Sequence, residues 1–284
     1  MNNIAYYNGK TGPIDEMTIP MNDRVVYFGD GVYEVAYVKN HKPFALYDHL
    51  DRFYNSCRMM SIDFYMNREE LTDLVQSLID QIDTDAECIL YWQCSRGTAP
   101  RKHYFPNPPV KPNLLAYVKP LAIPPMKNRI KLITVEDQRF FFCNIKTLNL
   151  IPNVFASQKA EEAGCDEAIF HRGDMVTECS HGNISIIKNG ALKTAPLNNL
   201  ILAGTVRKHL LEFCNANGIP VDETPFKVAE MVGADEVIVT STTKFCRAAD
   251  EIDGKPVGGR AADLYAKLRD EVVREFYAYV GVNP

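Results

Sequence analysis

The stretch that most constrains this chain is Phe140–Asn153, FFFCNIKTLNLIPN, in which a single charged residue, Lys146, lies among mostly apolar and aromatic residues. Removing an ammonium group from water is costly, and a lysine in such surroundings tends to lose its proton. The neutral amine is then a nucleophile that can attack a carbonyl group. Alternatively, Lys146 lies at a strand edge and extends its amino group into water. The stretch alone favours the second interpretation, so a catalytic lysine requires support from elsewhere in the chain.

Composition limits the class of protein. The chain has 284 residues, of which 46% are hydrophobic and 24% charged, a profile typical of a globular protein long enough for two domains. Its formal net charge of −5 argues against a nucleic-acid partner, which would require a basic face. No apolar run reaches the length of a membrane span, which argues against a membrane partner.

The eight cysteines are scattered, without a CxxC pair or a regular spacing. This pattern favours neither a metal site nor a disulfide framework, and it is typical of buried thiols in a reducing compartment. The first ten residues lack the basic and apolar regions of a signal peptide. We therefore expect a cytoplasmic protein with no bound metal.

The proline-containing segment KPLAIPPMKN, residues 119–128, is the clearest linker in the chain. It predicts a small N-terminal domain over residues 1–119, an interdomain linker over 120–129 and a larger domain over 130–284.

The N-terminal half carries two periodic segments that bring polar residues to particular faces. After the turn Phe28-Gly29-Asp30-Gly31, the run VYEVAYV alternates, with Tyr33 on one face and Glu34 on the face of its apolar neighbours. The segment Tyr47–Met60 predicts a helix in which His49 and Arg52, three residues apart, share a face.

A second helix is predicted over Arg68–Ile82, with Asn67 and Glu70 as its capping pair. The later segment Arg96–Pro112 is a long irregular loop that contains Arg101-Lys102-His103. A loop of this length inside a compact domain is usually functional or disordered.

Two segments in the C-terminal half could bind a phosphate group. Gly204 and Thr205, within ILAGTVR, immediately precede a predicted helix, whose first backbone amides attract anions. Ser241-Thr242-Thr243 follows a predicted strand and offers hydroxyl groups. Taken alone, the first pattern is better explained by ordinary helix capping and the second by an ordinary polar turn.

Glu178 follows the strand MVT and could protonate a pyridine nitrogen, although a solvated acid at a strand end gives the same pattern. Taken together, a lysine, a carboxylate, two phosphate-binding turns and an arginine on the preceding domain match the needs of pyridoxal 5′-phosphate (PLP).

In these residues the chain resembles the fold-type IV PLP-dependent aminotransferase family, and within it the bacterial D-amino-acid aminotransferases. The stretches that carry the resemblance are YFGDGVYEV (27–35), HLDRFYNS (49–56), SRGTAPRKHYFP (95–106), IKTLNL (145–150), GCDEAIFHR (164–172), VTECSHGN (176–183), ILAGTVR (201–207) and EVIVTSTT (236–243). They occur in one order over nearly the whole chain. IKTLNL followed by the T-E-x-S-x-x-N segment is the most specific of them.

The resemblance implies an α+β, two-domain fold, with a smaller N-terminal α/β domain and a larger C-terminal domain that has a β-barrel-like core. It implies that PLP lies between the domains and that Lys146 forms the internal aldimine. The cofactor-binding residues that it implies are Arg52, Lys146, Glu178, Ser180, Leu202, Gly204, Thr205, Val206, Ser241 and Thr242. Among these, Arg52 and the two turns would hold the phosphate, and Glu178 would bind the pyridine nitrogen.

Tyr33, Arg101 and His103 resemble the family's trap for the substrate carboxylate. In relatives the Arg-x-His loop comes from the neighbouring subunit, so the resemblance implies a homodimer with shared active sites. The chain departs from the family pattern at Cys179 and His181, near the predicted ring-nitrogen carboxylate, and at Lys244, after the second phosphate turn.

The resemblance implies transamination between D-amino acids, such as D-alanine or D-glutamate, and 2-oxo acids. The alternatives on the same fold are a branched-chain L-amino-acid aminotransferase, an (R)-amine transaminase and aminodeoxychorismate lyase. Arg101-x-His103 favours D-amino acids, because it supplies a charged carboxylate clamp. A further alternative is a non-catalytic scaffold protein, against which Lys146 and Glu178 argue.

Overall fold

The structure is a computed structural model that describes residues 2–126 and 128–281. The chain forms two compact units. The first contains the described residues up to Ala122, together with Ile145–Asn149 and residues 279–281. The second contains the described residues of 123–144 and 150–278. The predicted linker, 120–129, includes residue 127, which lies outside the described residues.

The first unit is built on a six-stranded antiparallel sheet. Its strands are β1 (Ile4–Tyr7), β2 (Lys10–Gly12), β3 (Gly31–Lys39), β4 (Lys42–Pro43), β5 (Cys88–Ser95) and β6 (Asn113–Pro120). Its helices are α1 (Arg24–Phe28), α2 (Leu46–Met59) and α3 (Arg68–Ile79). The strand order is β2-β1-β6-β5-β3-β4.

The helices of this unit cover one face of the sheet. Leu50, Phe53 and Cys57 of α2 are buried in one core with residues of α3 and of the central strands, as their helical spacing predicts. Both hydrogen bonds of the predicted capping box of α3 are present, between Asn67 and Glu70. The predicted α2 and α3 are therefore confirmed, although α3 ends at Ile79 rather than at Ile82.

The second unit is built on a nine-stranded mixed sheet that curls into a half-barrel. Its strands are β7 (Ile130–Glu136), β8 (Glu167–Arg172), β9 (Met175–Cys179), β10 (Asn183–Lys188), β11 (Ala191–Thr194), β12 (Val221–Asp222), β13 (Glu236–Ser241), β14 (Phe245–Ile252) and β15 (Lys255–Pro256). Its helices are α4 (Ile151–Glu162), α5 (Thr205–Ala216), α6 (Val228–Val232) and α7 (Ala262–Val280). None of the described helices is long and apolar enough to cross a membrane.

The lysine-bearing segment Ile145–Asn149 packs on the start of β3. Thr147 forms an isolated bridge with Val32, and the amide of Leu148 donates a 3.0 Å hydrogen bond to the carbonyl of Gly31. This pairing explains why the segment belongs to the first unit, although the linear order of the chain predicts that it lies in the larger domain.

Gly31 is required for this close packing. A Cβ atom there would lie 2.5 Å from the carbonyl oxygen of Cys94 and 2.8 Å from Cδ1 of Leu148. We expect Gly31→Ala to displace the lysine-bearing segment and to lower the free energy of unfolding by about 1–3 kcal/mol, as overpacking does. Gly12→Ala is the matched control, because a Cβ at Gly12 would meet only the sulfur of Met17, at 3.5 Å. Denaturant unfolding of both variants tests this, and equal stabilities would contradict it.

Candidate active site

A fully buried carboxylate, Glu34, organises the polar residues of the first unit. Arg52 donates two hydrogen bonds to it, from Nε to Oε1 at 2.6 Å and from Nη2 to Oε2 at 2.8 Å. Nδ1 of His49 lies 2.9 Å from Oε2. Burial would raise the pKa of Glu34, but the Arg52 charge and the hydrogen bonds from Arg52 and His49 outweigh it and lower the pKa to about 2. Glu34 is therefore ionised and holds the guanidinium of Arg52 in one orientation.

Lys146 is fixed by its backbone beside Tyr33. Its carbonyl accepts a 3.0 Å hydrogen bond from the amide of Tyr33, and its amide donates a 3.2 Å bond to Oγ of Ser56. Its Nζ lies 4.2 Å from the centre of the Tyr33 ring. Burial lowers the pKa of His49, although the hydrogen bond and the charge of Glu34 oppose this effect. Nη2 of Arg52 lies 3.4 Å from Nδ1 of the same histidine.

The surroundings of Lys146 differ from those that its apolar stretch predicts. Lys146 is partly exposed, and Phe141 and Phe142 are 60% and 62% exposed. The apolar residues before Lys146 therefore do not enclose it in this single chain. What fixes the lysine is its backbone pairing and the ring of Tyr33.

Arg101 and His103 lie on the exposed loop between β5 and β6 and meet at Phe28. The guanidinium carbon of Arg101 lies 5.2 Å from the centre of the Phe28 ring, and the ring centres of His103 and Phe28 are 5.4 Å apart. Arg101 forms no ion pair with any described residue. No hydrogen bond or ring contact within the described ranges joins Tyr33 to either residue, so these three predicted substrate-binding residues are brought together only in part.

In the second unit, Glu178 is a buried carboxylate with three donors around it. Arg139 donates a hydrogen bond to its Oε1. The side-chain amide of Asn183 and the backbone amide of Leu202 donate to Oε2 at 3.0 and 2.9 Å. Burial raises the pKa of Glu178 to about 7, against the lowering effects of the Arg139 charge and the Leu202 amide. A carboxylate whose oxygens are fixed by these three donors could accept a hydrogen bond from a protonated pyridine nitrogen.

Arg139 is itself held by further charges. Its Nε and Nη2 each lie 2.9 Å from an oxygen of Asp137, and Nε of Arg172 lies 3.1 Å from the same carboxylate. Although burial opposes ionisation, the hydrogen bond and charge of Arg139 lower the pKa of Asp137. The orientation of Glu178 therefore depends on a buried charge network that extends to β8.

At the first predicted phosphate turn, a helix begins without a side-chain cap. Helix α5 begins at Thr205, and its N-cap residue, Gly204, supplies no side-chain hydrogen bond to the first amides. A Cβ atom at Gly204 would overlap Oδ1 of Asn183, whose amide group also bonds the carbonyl of Leu202 at 2.9 Å. Because Asn183 also binds Glu178, it ties this helix start to the carboxylate. The predicted residues Leu202, Gly204, Thr205 and Val206 thus lie together with Glu178.

Ser180 and Lys244 both bind the buried carboxylate of Glu167. Nζ of Lys244 lies 2.6 Å from Oε2, the hydroxyl of Ser180 donates to Oε1, and Nδ1 of His181 lies 3.4 Å from Oε2. Burial would raise the pKa of Glu167, but the His181 hydrogen bond and the Lys244 charge lower it to about 2. Lys244, a departure from the family pattern, is therefore committed to an internal ion pair.

The second predicted phosphate turn, Ser241-Thr242, follows β13. Oγ of Ser241 accepts a 3.0 Å hydrogen bond from the amide of Lys244. The preceding hydroxyl, of Thr240, is buried without a hydrogen-bond partner among the described residues. The hydroxyl of Thr240, directly before the turn, therefore makes no hydrogen bond to any described residue.

In each unit, residues that position the assigned side chains lie outside the set that the sequence predicts. Glu34, Arg139, Asn183 and Glu167 all position assigned residues. For Glu34 a signal existed, because a carboxylate on the apolar face of an alternating strand must be paired. Arg139 is separated from Glu178 by 38 intervening positions, and no local pattern links them.

Comparison with known proteins identifies the family to which the chain belongs. The model of the class IV aminotransferase family matches residues 31–252. The chain is 38% identical to a D-alanine aminotransferase of Staphylococcus aureus (strain COL) over 270 residues, which cover 93% of this chain and 95% of the relative. It is 37% identical to a D-alanine aminotransferase of Bacillus licheniformis, with 90% of each chain covered.

Solved structures give the same fold. A branched-chain aminotransferase of Thermoproteus uzoniensis superposes with a TM-score of 0.89 at 21% identity, covering 98% of this chain and 95% of its own. A fold IV transaminase of Curtobacterium pusillum gives a TM-score of 0.83 at 17% identity, covering 98% and 99%. The chain belongs to the class IV aminotransferases and has the fold of fold-type IV enzymes.

Class IV aminotransferases use PLP, and the residues of this chain fit that group. The uncapped start of α5 suits its phosphate, and so does a guanidinium held by a buried carboxylate. A buried carboxylate held by three hydrogen-bond donors suits its pyridine nitrogen, and the amine of Lys146 suits its aldehyde. The predicted family, fold class and cofactor are thereby confirmed. The roles of individual residues stay predictions.

Arg52 binds Glu34, and we expect it also to bind the phosphate of PLP; a pair of variants separates the two roles. Arg52→Ala leaves Glu34 buried without its cation, so we expect a loss of about 3–5 kcal/mol in the free energy of unfolding. PLP should also bind about tenfold to a hundredfold more weakly, because a charge-assisted contact is lost. In Arg52→Ala/Glu34→Gln, stability should recover in part while PLP affinity stays low. Equilibrium dialysis with PLP and denaturant unfolding measure the two effects, and wild-type PLP affinity in the double variant would contradict this role of Arg52.

Proposed function

We propose that this protein is a PLP-dependent aminotransferase that moves an amino group between D-amino acids, such as D-alanine or D-glutamate, and 2-oxo acids. The observation that carries the proposal is the 38% identity to D-alanine aminotransferase over nearly the whole of both chains, with the lysine and the buried glutamate among the matched segments. The likeness to branched-chain aminotransferases, at 21% identity, concerns the fold alone and does not favour a branched-chain substrate.

The cofactor supplies a ring that accepts the electrons released at the substrate Cα. The residues of this chain would hold it at each of its groups. Arg52, the amides of residues 204–206 and the turn Ser241-Thr242 bind the phosphate. Glu178 binds the pyridine nitrogen, and Leu202, whose amide bonds Glu178, packs on the ring.

Lys146 has two tasks in this proposal. Its Nζ would hold the cofactor at the aldehyde carbon, and as a free amine it would move the proton that leaves Cα. The contacts of its backbone to Tyr33 and Ser56 support both tasks, since they fix the point from which the amine reaches the substrate. Arg101 and His103 bind the substrate carboxylate with Tyr33.

Lys146→Ala should abolish steady-state transamination of D-alanine with 2-oxoglutarate, because no other group is assigned to carry the Cα proton. The phosphate contacts should still retain PLP, which dialysis would detect. Lys10→Ala is a matched control, since Lys10 is an exposed residue of β2. Turnover by the Lys146 variant at more than a trace of the wild-type rate would rule out the assignment.

Arg101→Ala separates this function from that of an amine transaminase. A guanidinium binds two carboxylate oxygens at once, so its removal should raise KM for D-alanine by about tenfold or more. Activity toward a primary amine without a carboxylate should be almost unchanged. Equal KM values for D-alanine in variant and parent would show that the carboxylate is held elsewhere.

We also propose that the protein works as a homodimer in the cytoplasm, with the Arg101 loop serving the site of the other subunit. Two observations support the dimer. Arg101 is exposed and forms no ion pair with any residue of the described ranges. The second unit exposes a group of large apolar side chains, which marks an interaction surface: Phe141, Phe142, Ile151, Val154 and Phe155.

This exposed group yields a test of the dimer. Phe142→Ser/Phe155→Ser should shift the protein from dimer to monomer in analytical ultracentrifugation and reduce activity in proportion, because the shared sites separate. Tyr47→Ser, at a side chain that is 71% exposed outside the group, should change neither. A double variant that sediments like the parent would contradict the proposed interface.

A further inference from the structure

We propose that Phe28 is a positioning residue for the substrate carboxylate: its ring holds Arg101 and His103 in the arrangement that binds the two oxygens. The proposal rests on the function proposed above, in which these two residues bind the carboxylate. It adds the group that orders them before the substrate arrives.

The ring of Phe28 is the shared contact of the two residues. The guanidinium carbon of Arg101 lies 5.2 Å from its centre, and the imidazole centre of His103 lies 5.4 Å away. Within the described ranges, these are the interactions that the two side chains make. Among the described residues, the Phe28 ring is therefore the contact that restricts the rotamers of both side chains.

The ring of Phe28 itself packs against the guanidinium of Arg24, whose position is fixed by an ion pair. The guanidinium carbon of Arg24 lies 4.8 Å from the Phe28 ring centre. Arg24 is buried, and its Nε lies 2.7 Å from Oδ2 of Asp30, which also binds Arg96 at 2.9 Å. The position of the ring is therefore set by a buried ion-pair cluster.

The same cluster reaches the loop backbone between the two residues. Nη1 of Arg24 donates a 2.8 Å hydrogen bond to the carbonyl of Lys102. The loop is thus tied at its backbone by Arg24 and at its side chains by Phe28. A loop held in this way loses less conformational freedom when it binds the carboxylate, which increases affinity.

Phe28 is suited to positioning rather than to filling the core. It is partly exposed and is not among the side chains of the hydrophobic core of its unit. Arg101 has no counter-charge among the residues that the structure describes. Its guanidinium therefore remains able to bind an anion. A cation over an aromatic face is attracted to the ring without being neutralised.

Phe28→Leu keeps an apolar side chain but removes the aromatic face. We expect KM for D-alanine to rise about three- to tenfold, the range of an aromatic–cation contact, with kcat nearly unchanged. The calorimetric Kd of propionate, which has the carboxylate but no amino group, should rise by the same factor. Phe28→Tyr should restore both, and the absorbance spectrum of the bound cofactor should not change in either variant.

Tyr65→Leu is the control for a general loosening of the loop, because Nζ of Lys111 lies 4.0 Å from the centre of the Tyr65 ring at the other end of the same loop. It should leave KM and the propionate Kd unchanged. Equal losses in the Tyr65 and Phe28 variants would overturn the proposal, and so would a Phe28→Leu variant with the parental KM and Kd.

Arg101→Ala, measured alongside, separates this inference from the proposed function. If Arg101→Ala raises KM and Phe28→Leu does not, the positioning role fails while the carboxylate assignment stands. If Arg101→Ala has no effect, the carboxylate assignment itself fails. In the Arg101→Ala background, Phe28→Leu should add less than it does alone, because the two act as one unit.

Discussion

Both units of this protein depend on the pairing of buried carboxylates with cations. Each carboxylate would be costly to bury alone, and removing one partner of such a pair costs about 3–5 kcal/mol. The pairs are Glu34 with Arg52, Asp30 with Arg24 and Arg96, Glu178 with Arg139, Glu167 with Lys244, and Glu236 with Arg129. Because an unpaired buried charge is costly, each pair fixes the orientation of its members, among them Arg52 and Glu178, to which cofactor roles are assigned.

The pairs differ in whether their members remain able to bind a cofactor or a substrate. Glu34 orients Arg52, which the family resemblance assigns to the phosphate. Arg139 and Asn183 hold Glu178, whose pKa burial raises to about 7. The amino group of Lys244, by contrast, forms an ion pair with Glu167 and is poorly placed to bind a substrate anion. The departure at Lys244 therefore supplies a counter-charge for Glu167 rather than a charge offered to a ligand.

Local patterns in the sequence predicted the helices α2 and α3 and the faces of Glu34, His49 and Arg52. These features depend on helical and strand periodicity, which a single segment carries. The return of the Lys146 segment to β3 could not be predicted in this way, because it depends on a pairing between Val32 and Thr147. The same holds for the support of Glu178 by Arg139, since both residues look like ordinary surface charges when their segments are considered separately.

The apolar residues before Lys146 illustrate a second limit. Their composition suggests burial around the lysine, yet Phe141 and Phe142 are largely exposed in the single chain. Periodicity cannot distinguish residues that face a core from residues that face another subunit, because both are apolar. The stretch therefore predicted an important segment correctly but not the direction in which its side chains point.

Glu178, held by Arg139, is the proposed partner of the cofactor's pyridine nitrogen. The ¹⁵N chemical shift of that nitrogen, measured at neutral pH in enzyme reconstituted with ring-labelled PLP, tests this role directly. We predict the shift of a protonated nitrogen in the wild type and of an unprotonated nitrogen in Glu178→Gln, which keeps the size of the side chain but not its charge. The same shift in both proteins would contradict the claim.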